Sequence, residues 1–95
     1  GYGQTWQSVT RNNGTTYYNS TGKPIVLVLT SVSNTAANSY PTITVTQNGV
    51  SVIAGAGSAV AATNNSTATA IIPPGASYSW TISGGSTGNT AVELR

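Results

Sequence analysis

The stretch Lys23-Pro24-Ile25-Val26-Leu27-Val28-Leu29-Thr30-Ser31-Val32-Ser33 is the longest apolar run in the chain, and it decides the fold. Its β-branched residues, and the lack of charge after Lys23, predict a strand. Alternate residues of a strand point to opposite faces, which puts Ile25, Leu27 and Leu29 on one face and the valines on the other. A strand that is apolar on both faces must be covered on both. We expect loops over its outer face in a sandwich, or a neighbouring chain.

Short alternating segments separated by turn residues lie on both sides of this stretch. The predicted strands before it, after a flexible segment Gly1–Gly3, are Gln4–Thr10 and Thr15–Asn19. Those after it are Tyr40–Gln47, Val50–Ile53, Ser66–Ile72, Ser77–Ser83 and Ala91–Arg95, with an ambiguous segment at Ala54–Ala62 and a flexible loop at Ser83–Gly88. Strands spaced 8–12 residues apart, with no amphipathic helix, predict an all-β antiparallel sandwich. We expect one jelly-roll-like domain over residues 1–95, with about eight short strands.

One turn and three aromatic residues can be placed within this pattern. Asn48-Gly49 between two alternating strands predicts a type I′ hairpin. Tyr78 and Trp80 share an apolar face, so we predict that both are in the core. We also predict that Trp6 is buried, against its own chain or a neighbour. If the strands run up and down, Arg11–Gly14 shares one end with the Asn34–Ser39 loop, and Asn48-Gly49 lies at the other.

The composition excludes several classes of function. Charged residues make up 4% of the chain, against about 25% in an ordinary soluble domain. Three cations and a net charge of +2 cannot track a phosphate backbone, so nucleic-acid binding is not expected. Surfaces rich in Ser, Thr and Asn suit work outside the cell, and a small domain without cysteine often gains stability by oligomerisation. With no signal peptide or membrane segment, we expect export by a route other than Sec, or a C-terminal fragment.

The ionisable residues give little basis for catalysis. His, Cys and Asp are absent, which rules out histidine triads, thiol nucleophiles and pairs of aspartates. Glycoside hydrolysis normally needs two carboxyl groups, and Glu93 is the single acidic side chain. We therefore predict a binding protein rather than an enzyme, with no cofactor and no metal site. The binding candidates are polar loop residues and aromatic residues beside them: Arg11, Asn12, Asn13, Tyr17, Tyr18, Asn34, Asn38 and Tyr40.

Several segments, in order along the chain, resemble those of a known family. They are Gly3-Gln4-Thr5-Trp6-Gln7-Ser8-Val9-Thr10-Arg11, Gly14-Thr15-Thr16-Tyr17, Asn19-Ser20-Thr21-Gly22-Lys23-Pro24-Ile25, Ile72-Pro73-Pro74-Gly75-Ala76-Ser77-Tyr78 and the final Glu93-Leu94-Arg95. Together they resemble the C-terminal domain of bacteriophage and prophage tail fibres, and residues 31–70 match only in character. The chain departs from the family in one place. An aromatic often precedes the final Glu-Leu-Arg, where this chain has Asn89-Thr90-Ala91-Val92.

The resemblance implies a non-enzymatic, homotrimeric fibre tip that projects from the virion and binds a bacterial surface receptor. That receptor would be lipopolysaccharide, another surface polysaccharide or an outer-membrane protein. Virions leave the cell by lysis, so a signal peptide is not needed. Two other interpretations stay open. One is a structural domain for trimerisation or capsid decoration without a receptor, and the other is a secreted carbohydrate-binding module.

Overall fold

The computed structural model describes residues 3–95, in which every regular element is a β-strand. Gly1 and Tyr2, part of the predicted flexible segment, lie outside the described residues. The strands are β1 Trp6–Val9, β2 Tyr17–Tyr18, β3 Ile25–Asn34, β4 Pro41–Gln47, β5 Val50–Ala56, β6 Ser66–Ile72, β7 Ser77–Ile82 and β8 Ser86–Leu94. They form two antiparallel sheets, sheet A in the order β1-β8-β3-β6 and sheet B in the order β2-β7-β4-β5.

The strand order shows how the chain is wound. Strand 1 pairs with 8, 2 with 7, 3 with 6 and 4 with 5, so the chain is one long hairpin wrapped into two layers. This is the jelly-roll arrangement of a β-sandwich. The predicted fold class is therefore confirmed. The up-and-down path is wrong, because every connection except the one from β4 to β5 crosses between the sheets.

The tip of this wrapped hairpin is Asn48-Gly49. The φ angles of Asn48 and Gly49 are 54° and 77°, and Gln47 is paired with Val50 across the turn. Two central residues with positive φ define a type I′ turn, whose twist matches that of the flanking strands. The predicted hairpin is confirmed.

Strand β3 lies inside sheet A, between β8 and β6. Ile25, Leu27 and Leu29 face sheet B and are at most 1% exposed. They pack in the core with residues of both sheets, among them Ile43, Val45, Ile72, Tyr78 and Trp80. The central position of the stretch is therefore confirmed. Its other face is half-buried, so cover by a neighbouring chain stays a prediction.

The three aromatic predictions have different outcomes. Tyr78 and Trp80 are each 2% exposed, which confirms that both belong to the core. Trp6 is 56% exposed, so its predicted burial is wrong for the single chain. The reason is that β1 is an edge strand, and pairing of Trp6 with Leu94 places the indole on the outer face of sheet A.

Some strand bounds also differ from the prediction. The predicted strand Thr15–Asn19 contains only the two residues of β2, whereas β5 continues through Ala56 into the ambiguous segment. Strand β8 begins at Ser86, within the predicted flexible loop, because its early residues pair with the end of β3. Tertiary pairing thus overrides the local preference of the Gly- and Ser-rich sequence.

The sandwich has two ends of different character. The loop end consists of residues 33–40, 57–65 and 83–87, which connect strands of both sheets. The hairpin end consists of residues 19–24, 48–49 and 73–76. Thr5 and Arg95 are also at the hairpin end, where each donates its backbone N–H to the other's carbonyl oxygen.

Candidate functional site

Backbone hydrogen bonds join the three segments of the loop end into one surface. Asn34 donates its N–H to the carbonyl oxygen of Asn64 at 3.0 Å, and its own carbonyl accepts from Thr63 at 2.7 Å. Thr35 donates to the carbonyl of Gly85 at 3.1 Å. The loop that follows β3 is thereby tied to both neighbouring loops. Loops held in this way on a rigid sandwich are a common location for binding.

Unusual backbone conformations are concentrated at this end. Among the described residues, four other than glycine have positive φ, and three of them lie here: Ser33 at 47°, Asn38 at 60° and Thr63 at 72°. Positive φ is most costly for a β-branched residue such as Thr63. Strained conformations of this kind persist where the surrounding contacts enforce them, and they cluster at functional sites.

Asn34 has a polar atom without a partner. The residue is 1% exposed, and its side-chain nitrogen donates a long hydrogen bond of 3.4 Å to the carbonyl oxygen of Ser39. Its Oδ1 is buried and accepts no hydrogen bond from the described residues. An amide oxygen only accepts, so this atom requires an O–H or N–H donor. A buried acceptor of this type is rare in folded proteins and calls for an explanation.

The chemistry offered by the loop end is polar and uncharged. Its three segments contain no Asp, Glu, Lys, Arg or His, and their polar groups are hydroxyls, amides and backbone. Tyr40 follows the first loop and is 37% exposed, and its N–H donates to Oγ of Ser83 at 3.3 Å. This surface can exchange hydrogen bonds with neutral polar groups and offers one partly exposed aromatic ring.

Arg11 lies elsewhere, in an ion-pair cluster with Tyr78, Glu93 and Arg95. The carboxylate of Glu93 is fully buried and accepts from Arg11 Nε at 2.8 Å, from Arg11 Nη2 at 3.0 Å and from Arg95 Nη1 at 3.2 Å. Tyr78 donates its hydroxyl to the same carboxylate at 2.5 Å. Burial raises the pKa of Tyr78 to about 12, with the hydrogen bond to Glu93 as the next cause.

The guanidinium of Arg11 is also held by its surroundings. It stacks 4.6 Å from the ring centre of Tyr17, and its side chain is 13% exposed. Burial alone lowers the pKa of Arg11, but the hydrogen bonds and charge of Glu93 outweigh this and raise it. The backbone carbonyl of Arg11 accepts from Trp80 Nε1 and from Asn89 Nδ2, both at 2.9 Å. These contacts place Arg11 in the framework, where it joins β8 to β7.

The structure divides the eight predicted site residues into two groups. Asn34, Asn38 and Tyr40 belong to the loop end. The others lie on the side of the sandwich beside β2 and β7, where Gly14 donates to the carbonyl of Trp80. In this second group Asn12 and Asn13 are exposed, Tyr17 is half-buried against Tyr78, and Tyr18 is 71% exposed on the outer face of sheet B.

A groove on this side was not predicted from the sequence. It has a volume of about 270 Å³ and opens where β1 leaves β8, between residues 8–11 and 89–92. The sequence predicted a flexible loop at Ser83–Gly88, but it assigned no binding role to this loop or to residues 57–65. Asn64-Asn65 and Gly84-Gly85 are turn signals, but nothing local shows that these segments meet the loop after β3.

The described residues contain no group of three or more His, Cys, Asp and Glu side chains that could hold a metal ion. Within the same residues 3–95, no helix is long and apolar enough to cross a membrane. Comparison of the chain with protein-family models, with curated proteins and with solved structures found no match.

Proposed function

We propose that this chain is the receptor-binding tip of a bacteriophage tail fibre, a non-enzymatic part of the virion that attaches it to a bacterial surface. The observation that carries the proposal is the strained, charge-free loop end, whose three segments are joined by backbone hydrogen bonds. Thr5 and Arg95 pair at the opposite end, so a fibre joined there would point the loops outward. The resemblance of the five segments between Gly3 and Arg95 to those of tail-fibre tips supports the same function.

The character of the loop end favours one type of receptor chemistry. The polar groups of the three loop segments are hydroxyls, amides and backbone groups, which both donate to and accept from sugar hydroxyls. An anionic ligand would also lack a cation here, since none of the three loop segments carries one. A neutral surface polysaccharide therefore suits this end best, ahead of an outer-membrane protein.

The test is binding of the fluorescently labelled domain to a panel of bacterial strains, measured by flow cytometry. We expect the unaltered domain to bind at least one strain. Replacement of residues 35–38 by Gly and Ser, or Tyr40→Ala, should weaken that binding at least tenfold. Periodate treatment of the cells, which cleaves vicinal diols, should have the same effect.

The matched control is Asn48→Gly at the hairpin end, which keeps the turn geometry and should leave cell binding unchanged. If the loop replacement binds as tightly as the unaltered domain, the receptor site is not at the loop end. The groove between residues 8–11 and 89–92 then becomes the next surface to mutate. If no strain binds, the proposal of a receptor-binding tip is wrong.

We also propose that the domain assembles as a homotrimer. The outer face of sheet A carries Val26, Val28 and Val92, which are half-buried in the single chain, beside the exposed Trp6 and Ile71. Contiguous exposed apolar surface of this kind marks an interaction site. Light scattering on the domain in solution should give a mass of about three times the 9.6 kDa of one chain. A trimer that binds no cells would instead favour a structural fibre or capsid-decoration domain.

A further inference from the structure

An open apolar groove lies where the free edges of the two sheets meet. Strands β5 and β6 each have a strand neighbour on one side only. The groove has a volume of about 230 Å³ and is lined by Val45, Gln47, Val50, Val52, Ala54, Ile71 and Pro73. Pockets for drug-sized ligands start at about 300 Å³, so this one suits a single large side chain better than a free small molecule.

The rim of this groove is unusually apolar for a free sheet edge. Val50, Val52 and Ile71 are 63%, 53% and 64% exposed. Natural edge strands are often protected by charges, proline or a β-bulge. Strand β5 has neither charge nor proline, and its register against β4 shifts between Ile43 and Thr44, on the far side of Ile53 from Val50 and Val52. The apolar side chains at this edge are therefore available for contact with another chain.

The opposite edge of sheet A carries the side chain that such a groove could receive. Trp6 is opposite Leu94, Leu94 is opposite Val26, and Val26 is opposite Ile71. Residues directly opposite each other share a face, so an apolar row runs across sheet A from the exposed indole to the groove. No member of this row and no residue lining the groove is charged.

We propose that copies of this chain dock by seating Trp6 of one copy in the Val50–Val52–Ile71 groove of the next. A second copy fits because the groove suits one large uncharged side chain, and the chain itself presents an exposed indole at the end of an uncharged row. Trp is also one of the residues enriched among the side chains that contribute most to protein interfaces. The inference rests on the proposed assembly of the fibre tip and adds which surfaces meet.

The positions of the two surfaces allow two closed arrangements. Trp6 and the groove lie at different edges of sheet A, so each contact joins unlike surfaces. Contacts of this kind close into a ring, such as a trimer, when the rotation between copies allows it. A two-fold dimer would instead make the contact twice, with Trp6 of each copy in the groove of the other.

Photo-crosslinking tests the contact directly. Trp6 is replaced by the photoreactive aromatic p-benzoylphenylalanine, and the domain is irradiated as a mixture of ¹⁵N-labelled and unlabelled copies. Mass spectrometry should find crosslinks between copies at residues 50–54 or 71–73. Crosslinks between copies only at residues 26–28 or 92–94 would overturn the proposal, because they would place Trp6 against the middle of sheet A of the next copy and not in the groove. Assembly without any crosslink between copies would also overturn it.

Sedimentation of single variants provides the second measurement. Trp6→Ala and Val52→Asp alter exposed side chains, so both should fold, as checked by circular dichroism, and each should raise the dissociation constant of the assembly at least tenfold. Tyr18→Ala, an exposed aromatic on the other sheet, should assemble normally. An unaltered chain that is monomeric at micromolar concentration overturns both the assembly and this contact. Normal assembly of Trp6→Ala overturns the contact alone, and cell binding is measured separately.

Discussion

Arg11 and Glu93 are 82 residues apart in the chain, yet two nitrogens of the guanidinium bind the two carboxylate oxygens at 2.8 and 3.0 Å. Arg11 follows β1, Glu93 lies on β8, and Tyr78 of β7 donates to the same carboxylate. The pair therefore connects sheet A to sheet B at the side of the sandwich. Two-point Arg–carboxylate pairs are among the strongest hydrogen-bonded contacts in proteins.

Glu93→Gln should strongly destabilise the fold. The change keeps the shape of the side chain but leaves the buried Arg11 without its counter-charge. Breaking a buried ion pair by removing one partner costs about 3–5 kcal/mol. The free energy of unfolding in urea should fall by that amount. Arg95→Gln is the matched control, because Arg95 makes one contact of 3.2 Å, is 27% exposed, and should cost about 1 kcal/mol or less. Equal losses for the two variants would contradict this account.

The raised pKa of Tyr78 predicts that the fold loses stability in strong alkali. Burial and the hydrogen bond to Glu93 raise its pKa to about 12, above the ordinary value of 10. Stability that depends on the neutral hydroxyl is complete below pH 10 and is lost as the pH rises through about 12. Urea unfolding between pH 9 and 12 should show this decline. Tyr78→Phe cannot ionise, so it should be less stable at neutral pH and should lack this contribution to the decline. A Tyr78→Phe curve parallel to that of the unaltered chain would argue against the assignment.

At Gly55 the two sheets lie too close together to accommodate a side chain. A Cβ atom at Gly55 would overlap the backbone carbonyl oxygen of Thr69 on β6. Gly55→Ala should therefore lower the free energy of unfolding by about 1–3 kcal/mol, the usual cost of overpacking. Gly88→Ala is the control, because a Cβ there meets nothing within 4 Å, and it should be neutral or slightly stabilising. Thermal unfolding of both variants decides the point, and a Gly55→Ala protein as stable as Gly88→Ala would refute it.

The positive φ of Asn48 predicts that the hairpin tip contributes to the stability of the fold. Its φ of 54° is tolerated by Asn but resisted by a β-branched residue. Asn48→Val should lower the free energy of unfolding by about 1 kcal/mol or more, while Asn48→Gly should change it little. The melting temperatures of the two variants provide the measurement. An unchanged melting temperature for Asn48→Val would mean that the turn does not restrain the wrapped hairpin.

The sequence was most informative where a pattern is local. The alternation from Ile25 to Leu29 and the Asn48-Gly49 turn correctly predicted an inner strand and a hairpin. Alternation shows which face a residue occupies but not which strand lies beside it, so the crossings between sheets could not be predicted. Nor could the pairing of Arg11 with Glu93, since two single charges so far apart leave no periodic signal.

For the candidate site, too, the sequence predicted the local features but not the contacts between distant segments. The composition of the Asn34–Ser39 loop indicated a polar binding surface, and Tyr40 was expected beside it. The burial of Asn34 depends on hydrogen bonds to residues 63 and 64, which no local pattern reveals. Arg11 was selected for its place in a turn, and its ion pair with Glu93 became visible only once the sheets were assembled.

Hydrogen–deuterium exchange on the bound domain tests the central claim most directly. The exchange of backbone amides is compared between the free domain and the domain bound to cell-envelope fragments of a strain that it recognises. The account predicts new protection in residues 33–40, 57–65 and 83–87, and unchanged exchange at Asn48-Gly49. Protection confined to residues 8–11 and 89–92, with the loop end unchanged, would contradict it.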